Sequence, residues 1–179
     1  FYSSVLSEYG IKCDAALPKM YKPIYNTPSQ DIGKKILEAV KDTDVELPVN
    51  LALKCGLRIS EVCGLKWSAI HDDYIVIDNV IVSFGKEQIE KAPKSSAGKR
   101  KIPVSKDVLS LINSQPKINE YVYQKNAKAI GASFRRILKK NNIPHIKFHE
   151  LRHAFASNMA LLGIPENYAK AIGGWDTSE

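Results

Sequence analysis

Five consecutive residues, His149-Glu150-Leu151-Arg152-His153, hold the densest chemistry in the chain and satisfy two incompatible templates. Read as H-E-x-x-H, they offer a zinc ion two imidazoles one helical turn apart, with Glu150 as general base for hydrolysis. Read as H-x-x-R, they offer an imidazole and a guanidinium to a phosphate. The metal reading has the right spacing in the wrong surroundings. A guanidinium at Arg152 repels a cation and pairs with Glu150, and a third ligand would have to come from Glu166 or Asp176. The phosphate reading needs several fixed cations around the non-bridging oxygens and an acid for the leaving oxygen. Arg58, in Gly56-Leu57-Arg58-Ile59-Ser60-Glu61, is the natural second cation, with Glu61 able to orient it or neutralise nearby charge. This chemistry calls for no metal and no cofactor.

The elements that must position these groups can be read from pattern. Thr27-Pro28-Ser29-Gln30 is a capping-box start with proline at the first helical position, followed by an apolar face of Ile32, Ile36, Leu37 and Val40. A second helix over 48–55 ends at Gly56 as C-cap, and Arg58 opens a short helix through Cys63. Helices are expected over 106–113, 127–140, 150–162 and 165–172. On the helix that carries the pentapeptide, Leu151, Phe155, Asn158, Met159 and Leu162 fall on one side at 100° per residue. His149, Arg152 and His153 fall on the other, which puts them facing away from the core.

Residues 74–77 and 80–84 are β-branched or aromatic runs split by Asp78-Asn79, so two strands joined by a tight turn are expected. A third strand over 99–104 would complete a small antiparallel sheet. The expected fold class is therefore α+β, mainly helical with a three-stranded antiparallel sheet.

Four segments taken together resemble the tyrosine recombinase family, the phage and transposon integrases. They are Gly56 to Glu61, Pro93 to Pro103, Phe148 to His153, and Gly173-Gly174-Trp175, in the family's order. The resemblance covers about Thr27 to Trp175 and implies the integrase catalytic-core fold. It implies Arg58 and Arg152 as phosphate-clamping arginines, His149 as the motif histidine, and Lys94 as general acid, with Lys91 and Lys99 as competitors. His153 matches a family residue with a supporting role. Trp175 stands where many members have histidine; its indole N–H can donate to a phosphate oxygen but cannot shuttle a proton. The nucleophilic tyrosine would lie on a helix beyond Trp175, past Glu179. Tyr168, Tyr121, Tyr123 and Tyr74 fall outside every motif.

The function so implied is site-specific DNA recombination through a 3′-phosphotyrosyl intermediate. Type IB topoisomerase-like nicking and resealing, or a non-catalytic DNA-binding module, are the alternatives. The implied partners are duplex DNA and sister protomers in a homotetramer on paired sites, this chain alone being monomeric.

The 179 residues carry 26 Lys and Arg against 19 Asp and Glu, a net charge of +7 that suits a polyanion binder. Lys91, Lys99, Arg100 and Lys101 in the basic 86–101 stretch, and Arg135 and Arg136 further on, are the candidate DNA contacts. Residues 1–14 read as the end of a preceding helical domain, 15–26 as a basic linker and 27–179 as the catalytic domain. The chain starts without methionine and is expected to be a piece of a longer protein. No signal peptide or membrane-length apolar run is visible, so a cytoplasmic, nucleoid-associated protein is expected. Cys13, Cys55 and Cys63 are an odd number without C-x-x-C spacing, and reduced buried thiols are expected.

Overall fold

The computed structural model describes residues 27–84, 87–92 and 99–175. Lys94, with the rest of 93–98, lies outside the described residues, as do the expected segments 1–14 and 15–26. Among the described residues, the elements run α1 (Gln30–Val40), α2 (Glu46–Cys55), α3 (Ile59–Gly64), a 3-10 turn (Trp67–Ala69), β1 (Tyr74–Ile77), β2 (Val80–Phe84), β3 (Glu87–Lys91), β4 (Arg100–Pro103), α4 (Lys106–Asn113), α5 (Ala127–Lys140), α6 (Phe148–Leu161) and α7 (Glu166–Gly173). No helix among them is long and apolar enough to cross a membrane.

The helices follow the sequence closely. The first begins two residues later than the T-x-x-Q pattern suggests, because Ser29 rather than Thr27 caps it, its hydroxyl accepting from Ile32 N–H at 3.4 Å. α2 is apolar almost all round, and α6, α1 and α4 pack about it. A helix buried on every side has no polar face to show. Gly56 ends α2 at φ +68°, where a β-carbon would also lie 2.6 Å from Phe155 Cδ1. Gly56→Ala combines left-handed backbone strain with overpacking, and should cost on the order of 3 kcal/mol in a urea titration. Unchanged stability would contradict this packing. Burial pushes the Cys55 thiol up to about 12 and that of Cys63 to about 11, so both stay protonated. Cys13 lies outside the described residues.

The sheet departs from expectation. β1 does not pair with β2; it pairs antiparallel with β4, Ile77 opposite Arg100, while β2 pairs antiparallel with β3, Val80 opposite Lys91. Two two-stranded ladders thus replace the three-stranded sheet. Asp78-Asn79 carries the chain from one ladder to the other instead of turning a hairpin. Asn79 is buried, and its Nδ2 donates to Gly64 O at 3.2 Å, where the backbone passes so close that a β-carbon on Gly64 would meet Val80 Cα at 2.8 Å. β2 packs on α3, which draws it away from β1. β3, Glu-Gln-Ile-Glu-Lys, lacks a strand composition and is held by the backbone ladder with β2 and by Glu90, which binds Lys66 at 2.7 Å and accepts from Tyr121 at 2.8 Å.

Candidate active site

The site gathers where three chain segments meet: the turn from α2 into α3, the start of β4, and the face of α6 that meets the end of α7. Arg58 is the residue just ahead of α3. Its backbone N–H donates to Glu61 Oε2 at 2.8 Å, closing the first turn of that helix, and its guanidinium donates to Glu61 Oε1 at 3.0 Å and to Gly174 O at 3.1 Å. Its side chain is 37% exposed, so the guanidinium is braced by two partners while part of the side chain still meets solvent.

Arg152 is placed differently from expectation. It is not on a solvent face: it is 2% exposed, donates to Gly56 O at 2.6 Å, and lies under the Trp175 ring at 4.6 Å from the centroid. The reason is geometric. Arg152 is four residues from Phe148 and three from Phe155, so all three share one stripe of α6, and the helix buries a stripe wide enough to include the arginine. Leu162, expected on the core side, is 75% exposed just past the helix end. Trp175 also stacks on Phe155, centroids 6.2 Å apart, which fixes the indole over the guanidinium.

His149 stands at the start of α6 with its ring edge to face against His153 at 4.6 Å. Partial desolvation, and then the charges of His153, Arg152 and Arg58, hold its imidazole below the ordinary histidine value. The folded protein therefore resists its protonation, so stability declines as pH falls through the unfolded value near 6.5. In the unbound chain its NMR titration midpoint should lie below 6.5 and move upward when duplex DNA is added. A midpoint at or above 6.5 before addition would count against this environment.

Glu150 has a structural duty: its Oε2 accepts from Lys147 N–H at 2.6 Å, closing the first turn of α6. It reaches back along the chain, away from the base position that the zinc template assigns it. Among the described residues no group of three or more His, Cys, Asp or Glu side chains could hold a metal.

The largest surprise is Arg100, expected on the DNA face. It is buried, its side chain 5% exposed, and it clasps Glu61 bidentately, NH1 to Oε1 and NH2 to Oε2 both at 2.9 Å, while Nε donates to Ile172 O at 2.7 Å. Burial raises the Glu61 carboxyl, but Arg100, then Arg58 with its backbone N–H, outweigh that and hold it below the ordinary carboxylate value. The neighbouring candidates keep their expected exposure. Lys91, Lys99 and Lys101 face solvent, Lys101 lying 4.9 Å from the Tyr74 ring, and Arg135 and Arg136 lie on the exposed side of α5.

The structure thus joins Arg58, Glu61 and Arg100 by hydrogen bonds and Arg152 to Trp175 by a ring contact, while His149, packed on His153, lies close enough to feel the charges of Arg152 and Arg58. The tyrosines do other work: Tyr121 donates to Glu90, Tyr123 to the Asp44 carbonyl, and Tyr74 stacks on His71, while Tyr168 is exposed on α7. What pattern reading missed are the carbonyls of Gly56, Ile172 and Gly174, which the arginines hold; backbone acceptors leave no mark in residue types.

Paired arginines from two helices, a histidine on the second, and a small ladder on one flank define an integrase-type catalytic core. The phage integrase family model matches residues 27–179, and the chain belongs to that family. Among solved structures, the Tn1549 transposon integrase in complex with a circular intermediate DNA shares the fold at a TM-score of 0.81 and 20% identity, over 99% of this chain and 68% of that one. A lambda integrase tetramer bound to a Holliday junction gives 0.68 at 20% identity, over 99% and 57%. In sequence, a tyrosine recombinase XerC-like protein of Caldanaerobacter subterraneus subsp. tengcongensis is 26% identical over 166 residues, covering 74% of this chain and 42% of that protein. The integrase of Salmonella phage P22 is 24% identical over 148 residues, covering 73% and 36%. The chain thus spans about two fifths of the length of these curated relatives.

Proposed function

We propose that this chain is the catalytic core of a site-specific DNA recombinase, in which a tyrosine C-terminal to Trp175 attacks a DNA phosphodiester and forms a 3′-phosphotyrosyl bond. The observation that carries the reading is the convergence of Arg58, just ahead of α3, and Arg152, from α6, on the Gly174-Trp175 segment: Arg58 donates to the Gly174 carbonyl and Arg152 lies against the Trp175 ring. Two guanidiniums fixed in this way stabilise the charge that builds on the non-bridging oxygens as the phosphorus becomes five-coordinate. His149, neutral at physiological pH before DNA binds, can donate or accept at that phosphate. Lys94 is the proposed acid that protonates the departing 5′ oxygen, with Lys91 and Lys99 its competitors. The phosphotyrosine conserves the bond energy, so a 5′ hydroxyl from a second strand can reverse the attack and rejoin.

The indole of Trp175 sheathes Arg152, so it has to shift for a phosphate to reach that guanidinium. The integrase and recombinase character of the relatives favours strand exchange over nicking and resealing. The proposed partners are duplex DNA and sister protomers in a tetramer on paired sites, in the cytoplasm of a cell whose nucleoid supplies the substrate.

The 179-residue chain should bind duplex DNA with log affinity falling linearly with log salt, losing about 1,000-fold between 50 and 200 mM if six phosphates are neutralised. Binding that is absent at low salt, or insensitive to salt, would overturn the reading of this face as a phosphate-binding surface.

A further inference from the structure

We propose that Arg100 is a positioning residue for the phosphate clamp: from β4 it holds the Glu61 carboxylate and the Ile172 carbonyl, and so keeps the Arg58 guanidinium available to DNA. The inference rests on the recombinase reading and assigns a role within it to a side chain that touches no phosphate.

Glu61 is 2% exposed and lies within hydrogen-bonding distance of Arg58, the more exposed of the two clamp arginines. A buried carboxylate with one cationic partner takes that partner's charge for itself, which would spend Arg58 on Glu61 instead of on a phosphate. Arg100 offsets this, although Arg58 still donates to Glu61 Oε1 at 3.0 Å. Its fork satisfies both carboxylate oxygens at 2.9 Å, so the group of two arginines and one glutamate keeps a net positive charge, borne at its exposed end by Arg58.

Geometry adds a second function. Nε of Arg100 donates to Ile172 O at 2.7 Å, and Arg58 donates to Gly174 O two residues on. One guanidinium in β4 thereby fixes both the turn that presents Arg58 and the segment that leads into Trp175. A lysine cannot reproduce this, because one ammonium lacks the planar fork needed to serve two carboxylate oxygens and a carbonyl at once.

The test uses the parent enzyme, continued through its tyrosine, with wild type, Arg100→Lys, Arg100→Met and the double variant Arg100→Met with Glu61→Gln. Single-turnover covalent capture of a nicked suicide duplex is measured from pH 5 to 9, alongside duplex affinity and urea unfolding. At neutral pH, Arg100→Met should capture about 100-fold more slowly and Arg100→Lys about 10-fold, from misplacement of a charge that still lies near its target.

The pH profile separates positioning from simple support. Among the described residues, the charges that act on Glu61 are Arg100 from β4 and Arg58 from the turn ahead of α3; the Ile172 and Gly174 carbonyls accept from these two arginines, and from α6 Arg152 and His149 act on Arg58's side of the site. Without Arg100, the buried Glu61 titrates higher. The Arg100→Met deficit should therefore be largest at high pH and shrink as Glu61 takes up a proton, and Glu61→Gln in that background should restore rate and remove the pH dependence. Arg100 variants within about twofold of wild type at every pH would overturn the assignment. So would a deficit equal at all pH values that tracks lost stability. A wild-type enzyme that captures no duplex would overturn the recombinase reading itself, and the role of Arg100 with it.

Discussion

Arg152→Ala, in a chain continued through the downstream tyrosine, should lose covalent capture of a nicked duplex by at least about 1,000-fold, because a fixed guanidinium at the phosphate is removed from the transition state. Duplex affinity should fall far less, since many other phosphate contacts carry binding. Arg152→Lys should recover little: the residue is 2% exposed beneath Trp175 and donates to Gly56 O at 2.6 Å, a geometry built for a planar group. Retained capture in Arg152→Ala would sink the clamp. The readout is the fraction of radiolabelled duplex that migrates with protein after denaturation. Because Arg152 also ties α6 to the Gly56 carbonyl at the end of α2, a parallel unfolding curve shows whether the variant is folded when its activity is scored.

The second large effect is on stability. Glu61→Ala removes the carboxylate that Arg100 clasps at both oxygens, and breaking such a buried pair costs about 3 to 5 kcal/mol. Urea unfolding at pH 7 should show that loss. Its pH dependence has a definite sign: the folded-state carboxyl is held below its usual 4.5, so the contribution is fully present above the unfolded value and fades as pH falls through the folded one. The gap between wild type and Glu61→Ala should therefore narrow in acid. Equal stability of the two proteins at pH 7 would contradict the buried network. Glu61→Gln, which keeps an acceptor oxygen, should be milder.

The helices were legible because their signals are local. Gly56 after an apolar run and Asn126 ahead of α5 mark ends that the backbone obeys. The arginines of the proposed phosphate clamp stood out in their motifs, and the family those motifs resemble is the one whose model matches residues 27–179. What failed was direction. Arg152 was grouped with His149 and His153 on the outward side of the helix wheel, although its three- and four-residue spacing to Phe155 and Phe148 already placed it on the buried stripe. Arg100 was given to DNA because it sits in a basic run, although strand alternation puts it on the side of Ile102, inward, with Lys101 and Pro103 outward. For Arg100 residue type overrode the strand period; for Arg152 the division of the helix wheel left the buried stripe too narrow. The strand pairing was illegible for a different reason: Asp78-Asn79 has hairpin composition, and only the packing of β2 on α3 decides against that turn.

The measurement that bears most directly on the whole account is the identity of the bond to DNA. The chain continued through its downstream tyrosine is incubated with a nicked suicide duplex, digested with protease, and the peptide joined to DNA is sequenced by mass spectrometry. The account predicts one tyrosine, C-terminal to Trp175, esterified to a 3′ phosphate, with no adduct when Arg58 or Arg152 is alanine. A 5′ linkage, an adduct on Tyr168 or another residue ahead of Trp175, or hydrolysis of the duplex without any covalent intermediate would contradict it.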